Sequence, residues 1–432
     1  MTSPEHTEHV RPAAWRRLLR TLSLARSHLG LLTLKLIGAL WPPNAILIAR
    51  HAASAMRRRP PAVANLDLEQ PLEEALGWIC RSQDRVGSGG VGCYELYRWT
   101  AGYPEVTGYI IPTLWDCAQR LGRDELADRA VRMADWELRV QRPEGGFEGS
   151  YEGDGEPAVV FNTGQVIRGL LRTAEETGEP RYLEAALRAG EWIVANQDED
   201  GSWTRANFKG MKRVYDTYVS APLARLARAT GDEAFARAAA RNCEFVLSRQ
   251  RPNGWFELCD NNPRFNDAPL THTLCYTVDG LLETGEVLGE ERFWEAATVT
   301  ADRLLAIVED SPALPARLGA DWDPRARYVC VTGVAQLGVI LMRLHERTGE
   351  ARYLDASRAL VSFLAGVQRL SAPGAARRGA LPGSYPVWGF YAPLKLPSWA
   401  VKYLIDLVLL VGAAEERTPA GRAPAAAGGS PQ

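Results

Sequence analysis

Two kinds of apolar segment alternate along residues 70–410. In residues 181–197, Tyr182, Ala186, Ala189 and Ile193 recur at helical spacing, whereas the opposite face is charged. Such a stripe is typical of a helix with one exposed face. The segments between these amphipathic stretches carry fewer charges, which predicts buried inner helices. They cover residues 109–121, 162–175, 215–229, 271–288, 332–346 and 397–411.

A repeated phrase groups the segments into units. Each copy consists of a turn, a helix, a glutamine and, shortly after it, a glycine followed by an aromatic residue, here called the glycine-aromatic close. The glutamines are Gln83, Gln141, Gln197, Gln250 and Gln368. One degenerate copy fits between the last two, which makes six units. Thr-Gly or Leu-Gly follows most of the inner segments, as a helix C-cap would. The pattern predicts an all-α protein, an (α/α)6 toroid of six helical hairpins, with its long connections and its cleft at one end.

The two ends of the chain differ from this repeat. We predict an N-terminal amphipathic or helical arm over residues 1–65, the toroid over 66–415 and a disordered tail over 416–432. The Arg-rich residues 11–26 precede an apolar stretch, 29–49, that is too interrupted for a confident spanning helix. The arm is expected to lie on the toroid or on a membrane surface.

Composition narrows the possible partners. The chain has 50 Lys and Arg against 52 Asp and Glu, a net charge of −2, so no global field attracts nucleic acid. Its seven scattered cysteines contain no CxxC pair, which is typical of a reducing compartment. We expect a cytoplasmic protein that can be peripheral to the inner membrane, and we leave the oligomeric state open.

Four phrases carry a family resemblance: residues 102–112 (Gly-Tyr-Pro-Glu-Val-Thr-Gly-Tyr-Ile-Ile-Pro), 160–165 (Val-Phe-Asn-Thr-Gly-Gln), 269–273 (Pro-Leu-Thr-His-Thr) and 383–386 (Gly-Ser-Tyr-Pro). With them the chain resembles proteins of bacterial polysaccharide-biosynthesis clusters in the six-hairpin glycosidase-like superfamily. Its repeats also resemble the Gln-Trp motifs of squalene-cyclase-like toroids, where the glutamine ties a helix end to the next turn. The Asp-x-Asp-Asp motif of triterpene cyclases is absent.

The candidate catalytic residues are those predicted at the starts of inner helices. His272 alone among six histidines has that position, where it could act as acid or base or bind a hydroxyl. Asp216 and Glu105 are the preferred carboxylates, although either could instead cap a helix. The scattered histidines argue against a zinc or iron site, and we expect neither a metal nor a cofactor.

Other side chains at the predicted cleft could bind sugar. Amide groups and aromatic faces are the usual contacts, and Lys402 or the loop residues Lys209, Lys212, Arg213 and Arg264 could pair with a uronate carboxylate. Besides Lys402, the substrate-binding candidates are Tyr109, Asn162, Gln165, Tyr215, Trp255, Tyr276, Gln336, Tyr385 and Trp399.

The sequence therefore favours a carbohydrate-active enzyme of bacterial polysaccharide biosynthesis. Hydrolysis would need two facing carboxylates, whereas uronate epimerisation or elimination would need a base and a stabilised enolate-like charge. A non-catalytic glycan-binding or scaffold protein is the first alternative. An isoprenoid-binding or cyclase-like toroid is the second.

Overall fold

The computed structural model describes residues 42–57, 60–95, 98–372, 374 and 376–417. Thirteen α-helices lie within these residues. The first seven are α1 (Pro42–Ala55), α2 (Glu69–Val86), α3 (Pro104–Leu121), α4 (Asp124–Val140), α5 (Val160–Thr177), α6 (Pro180–Ala195) and α7 (Thr217–Thr230). The others are α8 (Glu233–Leu247), α9 (Thr271–Leu288), α10 (Glu291–Asp310), α11 (Val331–Thr348), α12 (Ala351–Ser371) and α13 (Ser398–Arg417).

Six hairpins of one inner and one outer helix form a closed ring, which confirms the predicted toroid. The inner helices α3, α5, α7, α9, α11 and α13 pack each against the next, and α13 also packs against α3. Five hairpins turn at glycines in the left-handed conformation, Gly122, Gly178, Gly231, Gly289 and Gly349. These are the predicted C-caps. The sixth hairpin pairs the last inner helix, α13, with the first outer helix, α2, and so closes the ring.

The long connections lead from each outer helix to the next inner helix, and they share one end of the ring, here called the loop end. Short antiparallel strands join some of them. β1 (Tyr94–Glu95) pairs with both β2 (Arg98–Trp99) and β5 (Lys395–Leu396), and β3 (Val329–Cys330) pairs with β4 (Ser384–Tyr385). The last connection is thereby tied to the first and to the fifth.

The repeated glutamine connects neighbouring units. The Nε2 atom of Gln197 donates to Gly201 O at 3.0 Å in its own turn and to Ala238 O at 2.8 Å in the next outer helix. The same double contact occurs at Gln83, Gln141 and Gln368. Gln250 differs, because its Nε2 atom donates to Ala296 O and to the Thr300 hydroxyl, both in α10, and that hydroxyl donates in turn to Gly254 O of the turn. At Gly201 the turn approaches α8 so closely that an added Cβ would lie 2.3 Å from a backbone oxygen.

The described part of the N-terminal arm packs on the loop end. The Ser54 hydroxyl lies 2.9 Å from the Tyr385 hydroxyl, and the buried His51 ring lies against the same tyrosine. Residues 1–41 and 418–432 lie outside the described residues, so the division into arm, toroid and disordered tail stays a prediction. Within the described ranges, no helix combines the length and the apolar character that crossing a bilayer requires.

Loss of one glutamine bridge should destabilise the whole ring. Gln368 donates to Pro71 O and Gly379 O across the junction of the first and last units, so Gln368→Ala removes two buried hydrogen bonds. We expect the free energy of unfolding, measured by urea denaturation, to fall by about 1–3 kcal/mol. The same change at the exposed Gln119 should cost less than about 0.5 kcal/mol. Equal losses at both positions would contradict a structural role for the repeat.

Candidate active site

A cavity of about 270 Å³ lies at the loop end, here called the front cavity. Its walls come from the starts of α3, α5, α9 and α13 and from the connection that precedes α7. The lining side chains combine aromatic faces with polar groups. They include Tyr103, Glu105, Phe161, Asn162, Asn207, Phe208, Arg213, Tyr215, Asn261, His272, Thr273, Tyr276, Tyr391 and Trp399.

Glu105 is the single carboxylate among the described residues that line the front cavity. It follows Pro104 in the first turn of α3, and the Tyr103 hydroxyl donates to its Oε2 at 2.7 Å. Burial raises the pKa of Glu105 to about 7, against the opposing hydrogen bond from Tyr103. A carboxyl group with this pKa exists in both protonation states near neutral pH, as a general acid or base should.

His272 is the second residue of α9 and is held by Gln336 of α11. Its Nδ1 atom lies 2.6 Å from Gln336 Oε1. Because a carbonyl oxygen can only accept, Nδ1 carries the hydrogen and Nε2 is left as an acceptor. Burial lowers the pKa of His272 to about 4, so the imidazole is neutral at physiological pH. It can accept a hydrogen bond or a proton from a ligand.

Arg213 brings a buried positive charge to the same cavity. Its guanidinium donates to the Tyr215 hydroxyl at 2.6 Å and to the Asn261 carbonyl at 3.4 Å, and the residue is 1% exposed. No carboxylate of the described residues lies within ion-pair distance of it, and its Nε atom has no hydrogen-bond partner there. Buried arginines usually have an anionic partner. An anionic group of a ligand would supply that partner.

Aromatic rings form a nearly continuous wall around these groups. Phe161 contacts Tyr215 and Tyr276 with ring centroids 5.4 and 5.0 Å apart. The His272 ring lies 4.4 Å from Tyr276 and 5.4 Å from Tyr391. The Trp399 indole donates to the Tyr391 hydroxyl at 2.8 Å. Flat faces of this kind can pack against the C–H groups of a sugar ring.

The structure brings part of the predicted site together. Six predicted residues line the front cavity: Glu105, Asn162, Tyr215, His272, Tyr276 and Trp399. Gln336 reaches it through His272. Of the basic loop residues that could meet a uronate, Arg213 is at the cavity wall.

Asp216, the preferred carboxylate, is not among the cavity-lining residues. It ends a short 3-10 turn, Val214–Asp216, and is fully buried behind Asn207, whose amide donates to its Oδ2 at 2.7 Å. Its Oδ1 has no hydrogen-bond partner in the described part of the chain. Burial raises the pKa of Asp216 to about 7, with partial opposition from the Arg213 charge.

Three further candidates are used in packing. The Gln165 amide donates to Phe161 O and Tyr218 O inside the ring of inner helices. Trp255 is buried in the glycine-aromatic close of its repeat, with Arg251 over its ring. Tyr385 is covered by α1. These positions are explained by the fold, and the structure does not bring them to the front cavity.

Tyr109 and Lys402 line a second cavity, of about 400 Å³, here called the rear cavity, between the inner helices towards their C-terminal ends. Lys402 is 8% exposed and pairs with Asp406 at 2.6 Å, so its charge is already neutralised. Every arginine among the described lining residues is also ion-paired: Arg120, Arg168, Arg172, Arg225 and Arg343.

Sequence reasoning missed Tyr103, Asn207 and Tyr391. Tyr103 could have been found, because it immediately precedes the predicted Glu105. Asn207 and Tyr391 lie in irregular connections, where no periodicity marks which side chains face the cavity. No group of three or more metal-ligating side chains occurs in the described ranges.

Comparisons with known proteins place the fold but not the activity. No protein-family profile matches the chain. A segment of 134 residues is 32% identical to drimenyl diphosphate synthase from Streptomyces showdoensis. That segment covers 31% of this chain and only 23% of the relative, so the chain spans less than a quarter of that protein.

Solved structures match over most of both chains. An unsaturated glucuronyl hydrolase from Bacillus sp. GL1 superposes with a TM-score of 0.60 at 16% identity, over 79% of this chain and 96% of the other. The cellobiose 2-epimerase of Bacillus thermoamylovorans has a TM-score of 0.61 at 11% identity, over 79% and 97%. The chain therefore has the (α/α)6 toroid fold of six-hairpin glycosidase-like proteins. At such identities the likeness shows the fold alone.

The buried Asp216 should give stability a characteristic pH dependence. Its pKa of about 7 in the folded protein exceeds the ordinary 3.8, so the folded state keeps a proton that the unfolded state has lost. Stability must then fall as the pH rises between these values. The melting temperature of Asp216→Asn, relative to the wild type, should therefore increase from pH 5 to pH 8. The exposed Asp267→Asn is the control, and a constant difference between Asp216→Asn and the wild type would contradict this assignment.

Proposed function

We propose that the protein is a carbohydrate-active enzyme that binds an acidic sugar of a glycan in the front cavity and transfers protons through Glu105. One observation carries this proposal. A carboxyl group with a pKa of about 7, a neutral imidazole and a buried arginine that forms no ion pair with a described carboxylate converge on one aromatic-lined cavity. Uronates combine the ring, the hydroxyls and the carboxylate that these groups would bind.

The available groups favour proton abstraction over two-carboxylate hydrolysis. Glycoside hydrolysis ordinarily uses a facing pair of carboxylates, and Glu105 has no such partner among the described lining residues. Ionised Glu105 would instead remove the ring proton next to the sugar carboxylate. The electron pair would move into that carboxylate, where Arg213 stabilises the charge. Expulsion of the neighbouring leaving group, which takes up the proton held by Glu105, gives an alkene, whereas return of a proton from water to the other face gives an epimer.

The relatives support a carbohydrate substrate without fixing the reaction. The fold neighbours named above act, by their names, on an unsaturated glucuronyl group and on cellobiose. A role in polysaccharide biosynthesis rests on the resemblance of the four sequence phrases, and a cytoplasmic location rests on the cysteine pattern. Both remain part of the proposal.

An isoprenoid-binding toroid is the second candidate function. Two observations favour it: the aromatic lining of the front cavity and the partial similarity to drimenyl diphosphate synthase. Against it, Asn162, Asn207, Arg213, His272 and Glu105 line the same cavity. Desolvating so many polar groups against a hydrocarbon would be costly.

The activity can be tested by following sugar protons by NMR in deuterated buffer with uronate-containing and neutral oligosaccharides. With uronates, either a ring-proton signal should disappear or a new alkene signal should appear. Glu105→Gln should lower this rate by about 10²- to 10⁴-fold, because the amide cannot exchange the proton. The pH profile should also lose the transition near 7 that the pKa of Glu105 predicts.

Asp216→Asn is the matched control, since Asp216 is buried outside the cavity wall. It should retain turnover to within about tenfold, as expected for a site without a role in proton transfer. New reducing ends without exchange would indicate hydrolysis instead. Contact without any turnover would support the glycan-binding alternative, and binding of a farnesyl compound in place of sugars would support the isoprenoid alternative.

Arg213 should determine the preference for acidic sugars. Arg213→Lys keeps the charge but loses the planar pair of donors. We expect KM for the uronate substrate to rise by at least about tenfold, whereas the affinity for a neutral oligosaccharide, measured by calorimetry, stays within about twofold. An equal loss for both substrates would mean that Arg213 only supports the cavity wall through Tyr215.

A further inference from the structure

The loop end carries an unusual set of exposed aromatic side chains. Phe208 is 49% exposed, Phe265 44%, Trp388 45% and Phe390 90%. We call these four residues the aromatic rim. Every phenylalanine and tryptophan that is exposed in the described part of the chain belongs to the rim, and none lies on an outer helix. A cluster of exposed apolar side chains on one face usually marks an interaction surface.

Contacts between the connections show that the rim is continuous. Arg213 donates to Asn261 O and so joins the connection that bears Phe208 to the one that bears Phe265. Arg317 lies 4.0 Å from the centre of the Phe265 ring. Tyr328, from the same connection as Arg317, contacts Phe390 at 6.1 Å. The four rim residues therefore lie on three connections, which are joined through Arg317 and Tyr328 of a fourth, and Phe208 also lines the front cavity.

Exposed cations accompany the aromatic rim. Lys209 and Arg264 are each adjacent in sequence to a rim residue, and Arg327 is adjacent to Tyr328. None of the three is ion-paired within the described residues, in contrast to the nearby Lys212, which pairs with Asp200. Apolar rings beside free cations are suited to an anionic lipid surface, where the rings enter the headgroup boundary and the cations meet phosphates.

The N-terminal segment enters the toroid at the same end. Helix α1 contacts the last connection through Ser54 and Tyr385, and residues 1–41, which precede it, contain six Lys and Arg against two Asp and Glu. Met56, just after α1, is 80% exposed. A basic, partly apolar segment therefore precedes a helix that packs against the connection bearing Trp388 and Phe390. A surface rich in anionic lipid would suit both the aromatic rim with its cations and this basic segment.

We propose that the loop end docks on an anionic phospholipid bilayer through the aromatic rim and its neighbouring cations. The protein then lies with its front cavity facing the headgroups. Combined with the proposed function, this orientation assigns the enzyme to glycans attached to, or held at, a lipid surface. The docking itself does not depend on that function, and it can be tested separately.

Co-sedimentation of the full-length protein with vesicles tests the docking. We expect binding to vesicles that contain about one third phosphatidylglycerol, weaker binding to pure phosphatidylcholine, and loss of binding at high salt. Trp388→Ser combined with Phe390→Ser should weaken binding by at least about tenfold. Phe390→Ser alone, at the most exposed position, should weaken it in the same direction without a risk to the fold. Val299→Ser, at a similarly exposed position on α10, is the control and should bind like the wild type.

The cations have a matched control of their own. Arg264→Gln combined with Arg327→Gln should reduce binding and its salt dependence, whereas Arg237→Gln with Arg303→Gln, on outer helices, should not. Absence of vesicle binding by the wild-type protein would overturn the proposal. It would also be overturned if the rim variants bound vesicles normally, or if they lost affinity only for long oligosaccharides, which would identify the rim as a glycan platform. Turnover of soluble oligosaccharides tests the proposed function and is independent of these outcomes.

Discussion

The amide group of the repeated glutamine is the interaction on which the ring depends. It donates one hydrogen bond to the turn that follows its own helix and one to the next outer helix, as Gln197 does with Gly201 and Ala238. Each bond is modest by itself, but the two together join a turn to the neighbouring unit. The glutamine recurs in five of the six units, so most connections are bonded to the next outer helix at the same position. The loop end is therefore a rigid surface built from segments that are distant in sequence.

The packing of the ring keeps Glu105 and His272 of the front cavity buried, where the charged form of either side chain costs free energy. The start of an inner helix is covered by neighbouring inner helices, so a polar side chain there loses water. A helix N-terminus would by itself favour an ionised carboxylate. At Glu105 burial outweighs that effect and raises the pKa to about 7, and at His272 burial favours the neutral form. The same desolvation makes Arg213 effective towards an anion, because its charge is little screened by water.

The features that could be predicted from the sequence are those with local causes. Helical periodicity and terminal glycines, such as Gly178 and Gly231, mark where helices run and end, and the repeat gives their number. Glu105 and His272 could be predicted because they lie at helix starts. The direction of side chains in irregular segments could not be predicted. The 3-10 turn before α7 directs Asp216 towards Asn207, and no sequence pattern indicates this.

Other differences come from contacts between distant parts of the chain. Tyr385 is a plausible sugar platform by position, but α1, which is more than 300 residues earlier, covers it. Trp255 has the same position in its repeat as the buried Trp203 has in the preceding one, so its burial follows from the repeat. Lys402 lies more than one turn into α13, and a helical turn of 5.4 Å is enough to move a side chain from the front cavity to the rear one.

Size alone would select the other end of the toroid as the candidate site. The rear cavity is the larger of the two, about 400 against 270 Å³, and is rich in arginine. Its charges nevertheless satisfy one another, as Arg168 and Arg225 do with Glu283. A ligand there would have to replace ion pairs that are already made. In the front cavity, neither Arg213 nor Glu105 forms an ion pair with a described residue, so a charged ligand need not replace one. Unsatisfied charge, rather than volume, is the property that distinguishes the candidate active site.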